Sequence, residues 1–259
     1  MYPYGMIAAA LFGSVVGSFL NVCIYRIPRE ENIAFPASHC PECGKSIRPY
    51  HNIPVLGWLM LRGKCADCGE KIPITYPVVE LLTALLALWV VSVFGFTWEG
   101  LALFVLGCTF LTLSGIDFFY YILPNVITYP GAVVGVILAA LPWLGEPFPT
   151  LTDSLWGLGV GGGGLFAFAW IFSKLTGKDG MGMGDVKLLG MIGAWLGWQA
   201  SPFTIFGAAL MGSVVGVGWI MIAGRDRNLP IPFGPYLAVT AWLYIFYGPQ
   251  AYDWYFSTL

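Results

Sequence analysis

Leu101-Ala-Leu-Phe-Val-Leu-Gly-Cys-Thr-Phe-Leu-Thr-Leu-Ser-Gly-Ile-Asp117 is an unbroken apolar run that ends on an acid. Its length and lack of charge are those of a membrane span, which needs ~20 apolar residues. The rest of the chain repeats the pattern. Eight stretches are long enough, or nearly so, to cross a bilayer: 5–27, 77–95, 99–116, 124–145, 152–174, 184–199, 201–223 and 232–254. The sixth is the shortest. The runs are continuous rather than alternating, which argues against a membrane barrel. Composition agrees. The 259 residues are 58% hydrophobic and only 10% charged, where soluble domains carry ~25% charge. Lipid must cover that much apolar surface. The first stretch has no basic residue before it and is too long for a signal-peptide core, so it reads as a retained helix.

The basic residues orient the chain. Seven of the twelve Lys and Arg lie between Arg26 and Lys71, in the first inter-helix loop. Basic loops stay in the cytoplasm. Alternation then puts Lys174, Lys178, Lys187, Arg225 and Arg227 on the same side. The loops predicted outside, near 96–98, 146–151 and 200, contain no Lys or Arg. Eight spans leave both termini outside.

That basic loop, 28–76, is the only long polar segment, and it carries Cys40-Pro-Glu-Cys43-Gly and Cys65-Ala-Asp-Cys68-Gly. Two C-x-x-C pairs supply four thiolates, which suits tetrahedral Zn²⁺. The glycine after each pair permits a tight turn. A reducing compartment disfavours disulfides. Four thiolates leave no open coordination position, so such a zinc is structural and substitutes for a core. The alternative is four unliganded loop cysteines. His39 and His51 read as solvated loop residues, and Cys23 and Cys108 as packing residues within helices.

Acids inside membranes are costly and usually functional. Asp117 closes the third span. Asp185 opens the sixth, in Met181-Gly-Met-Gly-Asp185-Val-Lys187. The topology puts both at cytoplasmic helix ends, at one depth. Gly182 and Gly184 let another backbone approach closely, as an added strand would. A pair of close carboxylates shares one proton and hydrolyses amides without a metal. Bland alternatives stand beside this: Asp185 as a helix N-cap, Asp117 as an interfacial residue within reach of water, or both as ion-coupling carboxylates of a transporter. A transporter predicts an inverted repeat, and none is clear. A non-enzymatic, zinc-bearing assembly factor would tolerate Asp→Asn at both positions.

These residues and several others resemble the type IV prepilin peptidases, of the GxGD group of membrane aspartyl proteases. The resemblance covers most of the chain. It runs through Gly17-Ser-Phe-Leu-Asn-Val22, Arg26-Ile-Pro28, both cysteine pairs, Asn52-Ile-Pro-Val-Leu-Gly-Trp58 and Tyr76-Pro-Val-Val-Glu80. It continues through Asp117, Leu123-Pro124, Met181–Leu188 and Ile231-Pro-Phe-Gly-Pro-Tyr236. It implies an enzyme of the bacterial inner membrane with its active site facing the cytoplasm. Such enzymes remove the basic leader of type IV prepilins and type II secretion pseudopilins after a glycine. The long forms then methylate the new N-terminus with S-adenosylmethionine. Asp117 and Asp185 match the family's catalytic pair, with Gly182, Gly184 and Lys187 in support. Cys40, Cys43, Cys65 and Cys68 match its zinc knuckles. The family often has Leu-Pro-Asp where this chain has Leu123-Pro124-Asn125.

The expected architecture is an all-α polytopic membrane protein. It has a first transmembrane helix (1–27), a zinc-binding, methyltransferase-associated cytoplasmic segment (28–76) and a seven-helix peptidase core (77–259). The expected cofactors are structural Zn²⁺ and S-adenosylmethionine as methyl donor. The expected partners are prepilins, pseudopilins and the bilayer, with no nucleic acid. No glycine-rich nucleotide fingerprint follows a strand, so a peptidase without methyl transfer is the nearest alternative. Asn21, Arg26 and Glu80, near the membrane edge of the first loop, suit either a methyl-transfer site or loop packing. Gly161–Gly164 suggests close helix packing, and Trp195–Trp198 an outer-interface anchor.

Overall fold

A computed structural model describes residues 3–177, 182–223 and 231–257. Among them there are helices but no strands. The order is α1 Pro3–Arg26, α2 Leu56–Met60, α3 Thr75–Phe94, α4 Trp98–Tyr120 and α5 Asn125–Ala139. Then come α6 Leu151–Leu158, a π-helical segment Gly159–Gly164 and α7 Leu165–Thr176. The last are α8 Met183–Leu196, α9 Ala200–Ala223 and α10 Gly234–Ser257. Five helical stretches are long and apolar enough to cross a membrane: Tyr4–Arg29, Thr75–Phe94, Trp98–Tyr120, Leu151–Thr176 and Ala200–Met221. The protein is therefore a multipass, helical membrane protein. Lys178, Arg225, Arg227 and Met181 lie outside the described residues.

The chain divides into two compact units, Met1–Thr112 and Leu113–Leu259. In the first, α1 packs on α3 through small residues. A Cβ on Gly13 would come within 2.7 Å of Ala87 Cβ and of Thr83 O. A Cβ on Gly17 would come within 2.7 Å of Glu80 Cα. Gly13 and Gly17 are one helical turn apart on one face, the spacing that lets two membrane helices touch backbone to backbone. Elsewhere on α1, Ile7, Leu11, Phe12 and Val15 are exposed.

The second unit is organised around α8. From Leu188 to Leu196 every residue of this helix is buried. A helix that is apolar all round is a core element, and α5, α6, the π-helical segment, α9 and α10 all pack against it. Its 14 residues span about 21 Å at ~1.5 Å per residue. Gly157 and Gly193 abut, so a Cβ on either would strike the backbone of the other. Gly161, in the π-helical segment, sits as tightly on the Leu189 carbonyl. The glycine run thus serves close packing at its start, whereas Gly163 and Gly164 face open space. Trp195 is no interface anchor. It is 3% exposed, its indole N–H donates to the Gly131 carbonyl at 2.7 Å, and its ring lies against Gly135. Trp198 alone of that pair is exposed.

Candidate functional site

The second unit collects the aspartates. Asp117 lies in the last turn of α4, which ends as Tyr121 adopts a left-handed conformation (φ 56). A carboxylate there meets the negative end of the helix dipole, and Asp117 is only 6% exposed. Both facts make the ionised form costly. One oxygen has a partner: the Gly234 N–H, at the start of α10, donates to Asp117 Oδ2 at 2.8 Å.

Asp185 is the third residue of α8. It is not the N-cap residue, which is Gly182. Its carboxylate reaches back to accept from the Gly182 N–H, the carboxylate half of a capping box. The two aspartates are close enough for the Asp117 charge to act on Asp185. Leu123, buried, joins the parts. A Cβ on Gly184 would come within 3.0 Å of Leu123 Cβ, and one on Gly234 within 3.3 Å of Leu123 Cδ2. The missing side chain of Gly184 is thus taken up by Leu123 instead of being left open, while Gly182 stays exposed. Lys187 does not pair with Asp185. Its ammonium donates to Asn125 Oδ1 at 2.7 Å and lies 5.5 Å from the centre of the Tyr129 ring.

Four helix ends therefore converge here: the close of α4 and the starts of α5, α8 and α10. Sequence reading named Asp117, Asp185, Gly182, Gly184 and Lys187 as site residues. Leu123, Asn125 and Gly234 figured there only within the motifs that carry the resemblance, and none of them as a site residue. The signal for Gly234 was present, since Phe233-Gly-Pro235 precedes an apolar run, but its role needs a contact across 117 residues.

The first unit holds the cysteines. Both pairs fold alike. Cys40 N–H donates to Lys45 O at 3.0 Å and Gly44 N–H to Cys40 O at 2.9 Å; Cys65 N–H donates to Glu70 O at 2.7 Å and Gly69 N–H to Cys65 O at 3.0 Å. Gly44 and Gly69 take positive φ, 70° and 77°, where a side chain would be strained. Lys45 and Asp67 tie the two turns at 3.2 Å. The four sulfurs lie within 4.8 Å of one another, and Cys40 Sγ and Cys68 Sγ are 3.8 Å apart. Ligands at ~2.3 Å around a tetrahedral zinc stand roughly 3.8 Å apart, so the set fits that metal. No histidine belongs to the cluster among the described residues. All six cysteines are free thiols. Backbone N–H groups of Cys68 and Asp67 draw the Cys65 thiol down to about 7. At Cys68 the Glu70 N–H pulls the same way, but desolvation and the other thiols win and push it up to about 12.

Beside the cysteines, Glu80 in α3 is buried and accepts from the Val55 N–H at 2.6 Å. Asn21 donates to Tyr76 O at 3.0 Å. Arg26 is 6% exposed and donates to Asn32 O at 2.9 Å and Pro36 O at 2.7 Å.

Comparison with known proteins bears on both units. Residues 11–94 match the bacterial peptidase A24 N-terminal domain, and residues 104–217 match the type IV leader peptidase family. A prepilin leader peptidase/N-methyltransferase of Pseudomonas aeruginosa is 39% identical over 95% of this chain and 91% of its own length. One of Stutzerimonas stutzeri is 39% identical over the same shares. One of Xanthomonas campestris is 38% identical over 97% of this chain and 94% of its own. No solved structure matches. Two family segments matched in order, and similarity along nearly the full length of such relatives, establish that the chain belongs to the type IV leader peptidase family.

Proposed function

We propose that this protein removes the leader of prepilins and pseudopilins with Asp117 and Asp185, and then methylates the new N-terminus with S-adenosylmethionine. The observation that carries the cleavage reading is the meeting of the two aspartates at converging helix ends, in a chain whose relatives are named for this activity. One carboxyl of the pair is ionised and takes a proton from water as that water attacks the scissile carbonyl. The other is protonated and polarises the carbonyl oxygen. The C–N bond then breaks as the leaving amine gains a proton. The pair titrates as a unit, so neither role belongs to one residue alone. Gly234 positions Asp117 through its N–H, and Gly182 positions Asp185. Lys187 braces the start of α5 through Asn125.

Eight helical segments cross the inner membrane, the five apolar stretches named above together with Asn125–Ala139, Met183–Leu196 and Gly234–Ser257. The basic loop faces the cytoplasm, both termini lie outside, and the aspartates meet substrate at the cytoplasmic face. The substrate's apolar helix stays in lipid while its basic leader remains in the cytoplasm.

Segment 28–76 serves methylation. Cys40, Cys43, Cys65 and Cys68 hold Zn²⁺, which crosslinks a segment too small for its own apolar core. When bound, S-adenosylmethionine would supply the electrophilic methyl group that the freed amine accepts.

Intact-mass analysis of a purified prepilin incubated with the protein and S-adenosylmethionine tests this reading. Loss of the leader plus one methyl mass is expected. Asp117→Asn and Asp185→Asn should each slow cleavage by about 10²–10⁴-fold or more. They should still methylate a pilin whose leader has already been removed. Cleavage without added methyl would leave only the protease. Normal cleavage by either variant would remove the aspartyl mechanism.

A further inference from the structure

The first unit contains a cleft of about 310 Å³ between one face of α1 and the loop that follows it. Its volume lies at the small end of ligand sites, roughly 300–1,000 Å³. Phe19 and Val22 line it with apolar surface, Ser18 and Arg26 lie on the same helix, and Pro36, Asn52 and Pro54 line it from the loop.

Two features are unexplained by packing alone. Arg26 is a cation only 6% exposed, yet among the described residues no carboxylate pairs with it. It bonds two carbonyls of the loop, and a guanidinium has five donors. A buried charge without a counter-charge is expensive. The second feature is Val55, next to Pro54. Its φ is +61°, an outlier for a β-branched residue. It is held there by its N–H bond to buried Glu80. Strained backbone of this kind collects at functional sites, and here it fixes one wall of the cleft.

We infer that this cleft seats S-adenosylmethionine, with the amino-acid carboxylate of that molecule on Arg26 and its adenine against Phe19 and Val22. The inference rests on the methyltransferase reading and adds the place and the anchoring residue. The carboxylate supplies the charge that Arg26 lacks, in a charge-assisted and bidentate geometry. The apolar end of the cleft takes the ring.

Equilibrium binding of radiolabelled S-adenosylmethionine to the purified full-length protein in detergent tests this directly, without turnover. Decarboxylated S-adenosylmethionine should bind at least about tenfold more weakly to the wild type. Arg26→Gln should weaken S-adenosylmethionine by a similar factor and bind the two compounds equally well. Leader cleavage, carried by the other unit, reports whether the variant is folded. Equal binding of both compounds by the wild type overturns the inference, and that comparison depends on no variant. Unchanged affinity in Arg26→Gln overturns it as well. A wild type that cleaves prepilin and binds no S-adenosylmethionine defeats the methyltransferase reading itself.

Discussion

The two units stabilise their costly groups in different ways. In the first, the cysteine turns are local: each is closed by backbone hydrogen bonds within six residues and by a glycine at positive φ. In the second, the aspartates are neighbours only because helices distant in sequence end together. Asp117, Leu123, Asp185 and Gly234 come from four separate segments. A local motif survives much rearrangement around it. A site assembled from helix ends depends on every helix that contributes. Damage to the second unit should therefore abolish cleavage through changes far from either carboxylate, while damage to the first should stay confined to metal and methyl transfer.

Gly234→Ala is the largest test of that contrast. The added Cβ would fall 2.8 Å from Asp117 Oδ2 and displace the carboxylate or α10. Misplacement by about 1 Å costs on the order of 10²-fold, so initial cleavage rates should drop by about that factor. Zinc content, measured by elemental mass spectrometry, should not change. Wild-type cleavage would mean that the second unit is as tolerant as the first.

A titration of the metal-free thiols addresses the first unit. Cys65 is lowered to about 7 and Cys68 raised to about 12. A lowered value means that the thiolate persists to lower pH and is lost as pH falls through it. Alkylation of Cys65, mapped by peptide mass spectrometry, should rise roughly ninefold between pH 6 and pH 8 as the thiolate goes from about a tenth to nine-tenths. Cys68 should stay unreactive over that range. Bound zinc should erase the difference, because coordination requires all four thiolates. Equal reactivity of the two cysteines would show that the turns do not distinguish them.

The smallest effect is expected at Asn125→Asp. Lys187 already donates to Asn125, so the substitution turns an exposed hydrogen bond into an ion pair. Such pairs contribute about 0–1 kcal/mol, and cleavage rates should stay within about fivefold. A larger loss would show that an added negative charge at the start of α5 reaches the aspartates.

Much of this protein was legible in its residues. Apolar runs of near-bilayer length, two C-x-x-C pairs and acids at helix ends are local signals, and each states its chemistry without reference to a distant partner. Even the cysteine turns obey the glycine that follows each pair. The chain alone did not disclose that the short α8 is the centre of its unit, because a helix buried by other helices and one buried by lipid share the same composition. Trp195 was misread for that reason: a tryptophan near a helix end is an interface anchor or a core residue according to what surrounds it. Gly234, Leu123 and Asn125 matter through contacts 60 residues or more along the chain, which periodicity does not encode. Sequence by itself determined the membrane class, the metal-type cluster and the two acids. Only the tertiary structure decided which helix ends surround those acids and that Arg26 is buried beside a cleft with no carboxylate partner among the described residues, because both depend on the packing of segments that local propensity leaves independent.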